Sequence, residues 1–233
     1  MSAGAPSKQG NRLDRRKART RDALIRAAQT LIAEGRTNVP IVEITQVADV
    51  GMGSFYNHFE SKEQLFDAAV EAVIDAYGEL LDNLTADVDD PAQVFASSFR
   101  LTGRLNRCEP ELSRVLLNNA LRLLRVDNGL APRARRDIAA AVEAGRFDVA
   151  DLDVAVTMTA GALLALGQLL QDQPDRDVEE TTDRVTEDLL RMFGVPRRQA
   201  HRICTLPLPK LEAMRGDGSP SESLRSIRRR SAS

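Results

Sequence analysis

The sequence predicts an all-α protein: a small N-terminal three-helix unit holding a helix-turn-helix, followed by a larger helical domain. Three observations carry this. Apolar residues recur at helical spacing in nearly every long segment, no segment shows the period-two alternation of a half-buried strand, and two short helical segments flank a tight turn before residue 62. The 233 residues are 42 % apolar and 28 % charged, enough for one large domain or two small ones with a sizeable core.

Residues 1–13 are expected to form a flexible arm. Leu24, Ala27, Ala28, Leu31 and Ile32 then mark one face of a helix that Gly35 stops. A short apolar segment runs from Ile41 to Ala48, Asp49 and Val50 lead into Gly51, and a third short helix is expected from Met52 to His58. Ser61 with Gln64 has the form of a capping box. The helix it opens carries Leu65, Phe66, Ala69, Val70, Val73, Ile74, Tyr77, Leu80, Leu81 and Leu84 as one stripe, ending at Asp87. Asp90-Pro91 starts another, with Pro at the first helical position and Phe95, Phe99 and Leu105 along it. Further helices are expected from Pro110 to Leu124, from about Pro132 to Ala144 before Gly145, from Asp151 to Gln171, and from Val178 to Phe193. Beyond Pro196 one short helix is expected within 201–214, and the Ser-, Gly- and Arg-rich composition after about 215 reads as disordered.

The formal net charge of −2 is a cancellation. Residues 1–62 carry +4, residues 63–196 carry −12 and residues 197–233 carry +6. Arg15, Arg16, Lys17, Arg19 and Arg21 crowd one stretch of the first segment, the footprint of a nucleic-acid binder, although charge alone also describes a solvated helix face. Cys108 and Cys204 are far apart and His58 and His201 are the only histidines, so no disulfide framework, metal centre or cofactor site is expected. The first ten residues lack an apolar signal core. The most apolar run, Val154 to Gly167, is shorter than the roughly 20 residues of a membrane helix, so no membrane partner and a cytoplasmic location are expected.

Ile44, Val47, Val50 and Phe55 are spaced to pack a helix-turn-helix. The stretch Ile44 to Phe59, ITQVADVGMGSFYNHF, resembles the DNA-binding signature of the TetR family of transcriptional regulators. Glu60 to Phe66 continues the match, and Thr20-Arg21 with Ala27-Ala28 precede it, so the resemblance covers about residues 20 to 66. Its core is the Gly-x-x-Tyr-x-His-Phe of Gly53 to Phe59. Asp49 stands where the family usually has the turn glycine; Asp tolerates the left-handed conformation. Gly51 stands where Ser or Thr is common, and remains an acceptable N-cap that lets backbone N–H groups approach a phosphate. Pro40 and Val42 replace the usual hydroxyl and basic residue at the start of the preceding helix, which removes one expected phosphate contact.

The resemblance implies that the 52–58 helix enters the major groove of a double-stranded, (pseudo)palindromic DNA operator. Met52, Gly53, Ser54 and Asn57 are the candidates at base edges, with Asn57 open to base readout or a backbone contact, and Gly51 is a DNA-contact candidate through its backbone. Tyr56, His58 and Lys62 resemble phosphate-contacting positions; the alternatives are a core role for Tyr56 and a structural role for His58. Arg16 and Arg19, with Arg15 and Lys17, are expected to add backbone or minor-groove contacts as an arm. The basic tail, Arg225 with Arg228 to Arg230, is either a non-specific DNA contact or a solvated end.

Residues 63–196 contain no nucleophile elbow, phosphate loop or zinc-protease motif, so no enzyme is expected. The resemblance implies an effector-binding and dimerisation domain there. Ala155, Thr159, Ala162 and Leu166, with Val185, Leu189 and Met192, are the candidate interface of a homodimer; the alternative is packing within one chain. Phe95, Phe99, Leu116, Leu117, Asn119, Phe147, Met158 and Leu163 are the candidate wall of a pocket for a small, mainly apolar effector. The function expected is a homodimeric repressor released by that effector. The alternatives are a ligand-independent DNA-binding protein with a solid dimerisation core, or an activator.

Overall fold

The computed structural model describes residues 8–108, 113, 117 and 130–208. Among these residues there are nine helices and no strand: α1 (Lys8–Ala33), α2 (Ile41–Val47), α3 (Met52–Tyr56), α4 (Lys62–Thr85), α5 (Pro91–Cys108), α6 (Leu130–Glu143), α7 (Leu152–Asp172), α8 (Val178–Met192) and α9 (Arg197–Thr205). The all-α expectation holds. The chain divides into two compact units between Ala72 and Val73, inside α4, later than the expected boundary after Lys62. The expected helix from Pro110 and the basic tail lie outside the described residues, apart from Ser113 and Leu117.

In the first unit, α1 begins at Lys8, so Arg15 to Arg19 are helical rather than part of an extended arm. Leu24, Ala28 and Leu31 are fully buried on its inner face, against a core that includes Ile44, Phe55 and Leu65. Asp49 makes the turn between α2 and α3 with φ +52°, the one non-glycine residue at positive φ among those described. The third helix ends at Tyr56, earlier than His58. Ser61 caps α4: its Oγ accepts from the N–H of Gln64 at 3.2 Å. Gln64 Oε1 reaches back to the N–H of Glu60 at 2.6 Å, one residue before the partner a standard capping box would use.

The second unit is built around a triangle of rings. Phe95 on α5, Phe147 after α6 and Phe193 after α8 have centroids 5.2 to 5.6 Å apart. Asp90 caps α5 by accepting from the N–H of Ala92 at 3.1 Å and is gripped by both ends of the Arg146 guanidinium. Asp151 and Asp177 cap α7 and α8 with side-chain carboxylates. The last helix runs from Arg197 to Thr205, not within 201–214, because Ala200, Ile203 and Cys204 insert into the core. The core domain therefore continues past the expected end at Pro196. Arg100 seals this junction from α5: it binds Asp183 on α8 through two nitrogens and donates to the Leu206 carbonyl at 2.9 Å.

By length and composition alone, α7 is apolar enough to cross a membrane, which its shorter apolar run did not suggest. One face of it, Ala155, Thr159, Leu166 and Leu170, is buried in the helical core.

Candidate nucleic-acid interface and effector site

The candidate reading face of the first unit is the outer side of α3. Phe55 is fully buried, and this anchor turns its neighbours outward: Met52 is 47 % and Tyr56 60 % exposed. Gly51, Gly53 and Asn57 are also exposed, Ser54 and His58 half-buried. Gly51 is the N-cap of α3 and makes no side-chain cap. A Cβ at Gly53 would meet nothing within 4 Å, so no protein atom requires glycine there. Lys62 is half-buried, and its Nζ donates to Asn38 Oδ1 at 3.0 Å.

The cations of α1 flank this face. Arg16 and Arg19 are exposed, as expected. The two that reach the motif are others. Lys17 and Arg21 fall on the same line as the buried Leu24, Ala28 and Leu31, at alternating four- and three-residue steps. The Arg21 guanidinium lies 5.4 Å from the centre of the Phe59 ring. Burial, then the charges of Lys17 and Arg21, push His58 below the ordinary imidazole value, so it is neutral at pH 7 yet still able to donate. Spacing alone would have singled out Arg21.

Charge is handled differently in the two units. Among the described residues, Arg15, Arg16, Lys17, Arg19, Arg21 and Arg26 have no carboxylate partner. In the second unit, Arg100, Arg104, Arg133, Arg135, Arg136, Arg146 and Arg191 each pair with one. The cationic field of α1 is thus free to act outward, whereas these seven arginines of the second unit are paired within it.

Two adjoining pockets open in the second unit. One, of about 60 Å³, is walled by Phe95, Phe99, Thr159 and Leu163 and by the charged Asp82, Arg133 and Asp137. The other, of about 70 Å³, includes Leu117 and Leu163. Four sequence-derived wall residues are therefore in place: Phe95, Phe99, Leu117 and Leu163. Phe147 is not: it lies behind that wall in the core, against the rings of Phe95 and Phe193. Met158 is not, because it sits 44 % exposed on the outside of α7. Leu116 and Asn119 lie outside the described residues.

The charged wall was missed. Asp137 is buried on the apolar face of α6. Arg136 donates to its Oδ1 from Nε and Nη2 at 3.0 and 2.8 Å, and bridges to Asp82 Oδ1 at 2.6 Å. Arg133 Nε donates to Asp82 Oδ2 at 3.0 Å. Burial lifts Asp137 above the ordinary carboxylate range despite Arg136. Burial also works against ionised Asp82, but hydrogen bonds from Arg136 and Arg133 outweigh it and hold that carboxyl low. Among the described residues Asp137 Oδ2 has no partner, leaving a carboxylate oxygen able to accept from an occupant of the pocket. Gly78 on α4 makes room for this cluster: a Cβ there would lie 2.5 Å from three guanidinium atoms of Arg133.

With this geometry in view, comparison with known proteins is decisive. Residues 24–69 match the profile described as bacterial regulatory proteins, tetR family, and residues 90–205 match the tetracyclin repressor-like C-terminal domain. The chain resembles RolR in complex with resorcinol at 37 % identity, covering 85 % of this chain and 99 % of that one, with a TM-score of 0.71. The chain belongs to the TetR family of transcriptional regulators. It also resembles RolR without ligand (36 % identity, 82 % and 99 % coverage, TM-score 0.69). The HTH-type transcriptional regulator TcmR of Streptomyces glaucescens is 32 % identical over 42 % of this chain and 43 % of its own length. The chain thus spans less than half the length of the curated relatives TcmR and KstR2 that it matches.

In this TetR-family chain the sequence-derived interface residues on α7 and α8 differ in exposure. Ala155, Thr159 and Leu166 are buried within the chain, as is Leu189 on α8; Ala162 and Val185 are half-buried. Ala155, Thr159, Leu166 and Leu189 pack within the chain, while Ala162 and Val185 pack against its core and keep part of their surface open. The open face is one residue earlier: Val154 and Met158 are 52 % and 44 % exposed, with Gly161 and Ala165 exposed along the same line. On α8, Met192 is 43 % exposed, as an interface residue should be.

Proposed function

We propose that this chain is a homodimeric, DNA-binding repressor released from a (pseudo)palindromic operator by a small, mainly apolar effector carrying a ring hydroxyl. The observation that carries the reading is the pairing of an exposed α3 with an unneutralised cationic α1 in one unit, while the other unit buries carboxylates at the wall of an apolar pocket. Met52, Asn57 and Ser54 read base edges; Tyr56, His58, Lys62, Arg16 and Arg19 contact phosphate. The exposed Val154–Met158–Gly161–Ala165 line of α7, with Met192, joins the two copies. RolR, 37 % identical, was solved with resorcinol, a dihydroxybenzene, and Asp137 Oδ2 offers such a hydroxyl an acceptor. The pockets weigh against a ligand-independent protein with a solid core. A bacterial regulator of this kind works in the cytoplasm.

Effector release follows as a population shift. The effector favours a conformer whose two reading heads are wrongly spaced, and operator affinity falls by the reciprocal factor. A gel shift with DNA from the chain's own upstream region, with and without resorcinol, tests this. Sequence-specific retardation relieved by resorcinol is expected; no specific retardation refutes the DNA reading.

A further inference from the structure

The two pockets differ in chemistry. Among the described residues the charge lies in the first, at Asp82, Arg133 and Asp137. The second, of about 70 Å³, is lined by Val73, Ile74, Tyr77, Ser113, Leu117 and Leu164 among others, and by no charged residue among the described ones. Thr102, Leu130 and Leu163 line both, so they form the shared edge. At that edge the Thr102 hydroxyl spends its proton on the Ser98 carbonyl at 2.7 Å. A water needs two to four polar partners to be held well, and this apolar wall supplies few. What gains most from the second pocket is a hydrocarbon group attached to whatever sits in the first.

We infer that the effector is amphipathic: a hydroxylated aromatic ring against Asp137 and an alkyl substituent of several carbons in the second pocket. This rests on the effector reading given above. One water-sized group takes roughly 10–15 Å³ of such space, so the pocket has room for a short chain. Each methylene buried there tightens binding about fourfold.

Calorimetric titration of the full chain with resorcinol, 4-ethylresorcinol and 4-butylresorcinol tests the inference. Affinity is expected to rise about fourfold per added carbon until the pocket is full. Ile74→Trp, and separately Leu164→Phe, should fill the second pocket and abolish the alkyl increment while leaving resorcinol affinity within about twofold; thermal melting verifies that each variant folds. If resorcinol binds and the alkyl series binds no tighter, the second pocket does not house a substituent. If the increment survives in folded variants, the substituent sits elsewhere. If no compound in the series binds, the hydroxylated-ring reading itself falls, and this inference with it.

Discussion

Gly78→Ala separates the needs of the fold from those of the effector site. The added Cβ would sit 2.5 Å from Cζ, Nε and Nη1 of Arg133, closer than any real contact, so the guanidinium has to move. Arg133 is a flexible side chain, and its displacement is easier than distortion of α4. That displacement breaks its 3.0 Å bond to Asp82 and its 3.5 Å contact with Asp75. A hydrogen bond to a charged group contributes about 1.5–3 kcal/mol, and partial exposure of this pair argues for about 1. Alanine in a helix interior gains up to about 1 kcal/mol over glycine. The two nearly cancel, so the melting temperature should move by less than about 3 °C. The effector site does not share in the cancellation, because Arg133 leaves the wall and Asp82 loses a donor. Resorcinol affinity, by calorimetry, should fall at least tenfold while operator affinity, by anisotropy, is unchanged. A rise in melting temperature worth the full helix gain, with effector affinity intact, would show that Arg133 does not depend on the glycine.

Gly53→Ala adds a methyl into open space on the reading helix, so stability should rise by up to about 1 kcal/mol while operator affinity falls tenfold or more. A thermal melt and an anisotropy titration decide it; unchanged affinity would mean DNA does not approach that backbone closely. Asp137 titrates above the ordinary aspartate value. Its contribution to apo stability is therefore fully present at low pH and is lost as pH rises from the ordinary value to the raised one, while resorcinol affinity grows over the same interval. Asp137→Asn should flatten both profiles in pH-dependent melting and calorimetry. Met158→Glu on the exposed face of α7 should dissociate the dimer in sedimentation without loss of helicity, whereas Ala155→Glu, at a position only 2 % exposed, should unfold the second unit.

The helix-turn-helix was legible because its signals are local. Asp49 at the turn, Phe55 inward and the cap at Ser61 each follow from a few neighbouring residues, and each has the expected place. The second unit was legible as helices but not as faces. On α7 the lines Ala155–Thr159–Ala162–Leu166 and Val154–Met158–Gly161–Ala165 are equally apolar and small. Periodicity cannot say which packs inward when both sides are apolar. The last helix was shifted because Arg197, Arg198 and Arg202 disguise the three buried positions Ala200, Ile203 and Cys204. Asp137 did leave a trace: it sits in line with Leu130, Ala134, Ile138 and Ala141 on α6, a carboxylate in an apolar stripe. An excess of acid elsewhere in the segment made it look like solvated surface.

The charge balance of the effector wall sets what it selects. Asp82 and Asp137, with Asp75 at 3.5 Å from Arg133, face Arg133 and Arg136, three acids against two bases. A neutral hydroxyl can add a hydrogen bond to Asp137 Oδ2 without disturbing this balance. A carboxylate ligand brings an unmatched negative charge beside a buried aspartate, and would have to take Arg133 or Arg136 from an existing partner. 3-Hydroxybenzoate, which replaces one hydroxyl of resorcinol by a carboxylate, should therefore bind at least tenfold more weakly at pH 7. Asp82→Asn removes one acid and loosens the hold on the Arg133 and Arg136 donors that Asp82 accepts from, so it should narrow that preference. Equal binding of the two compounds by the unmodified chain would mean that the Arg–Asp cluster supports α4 and α6 without taking part in recognition.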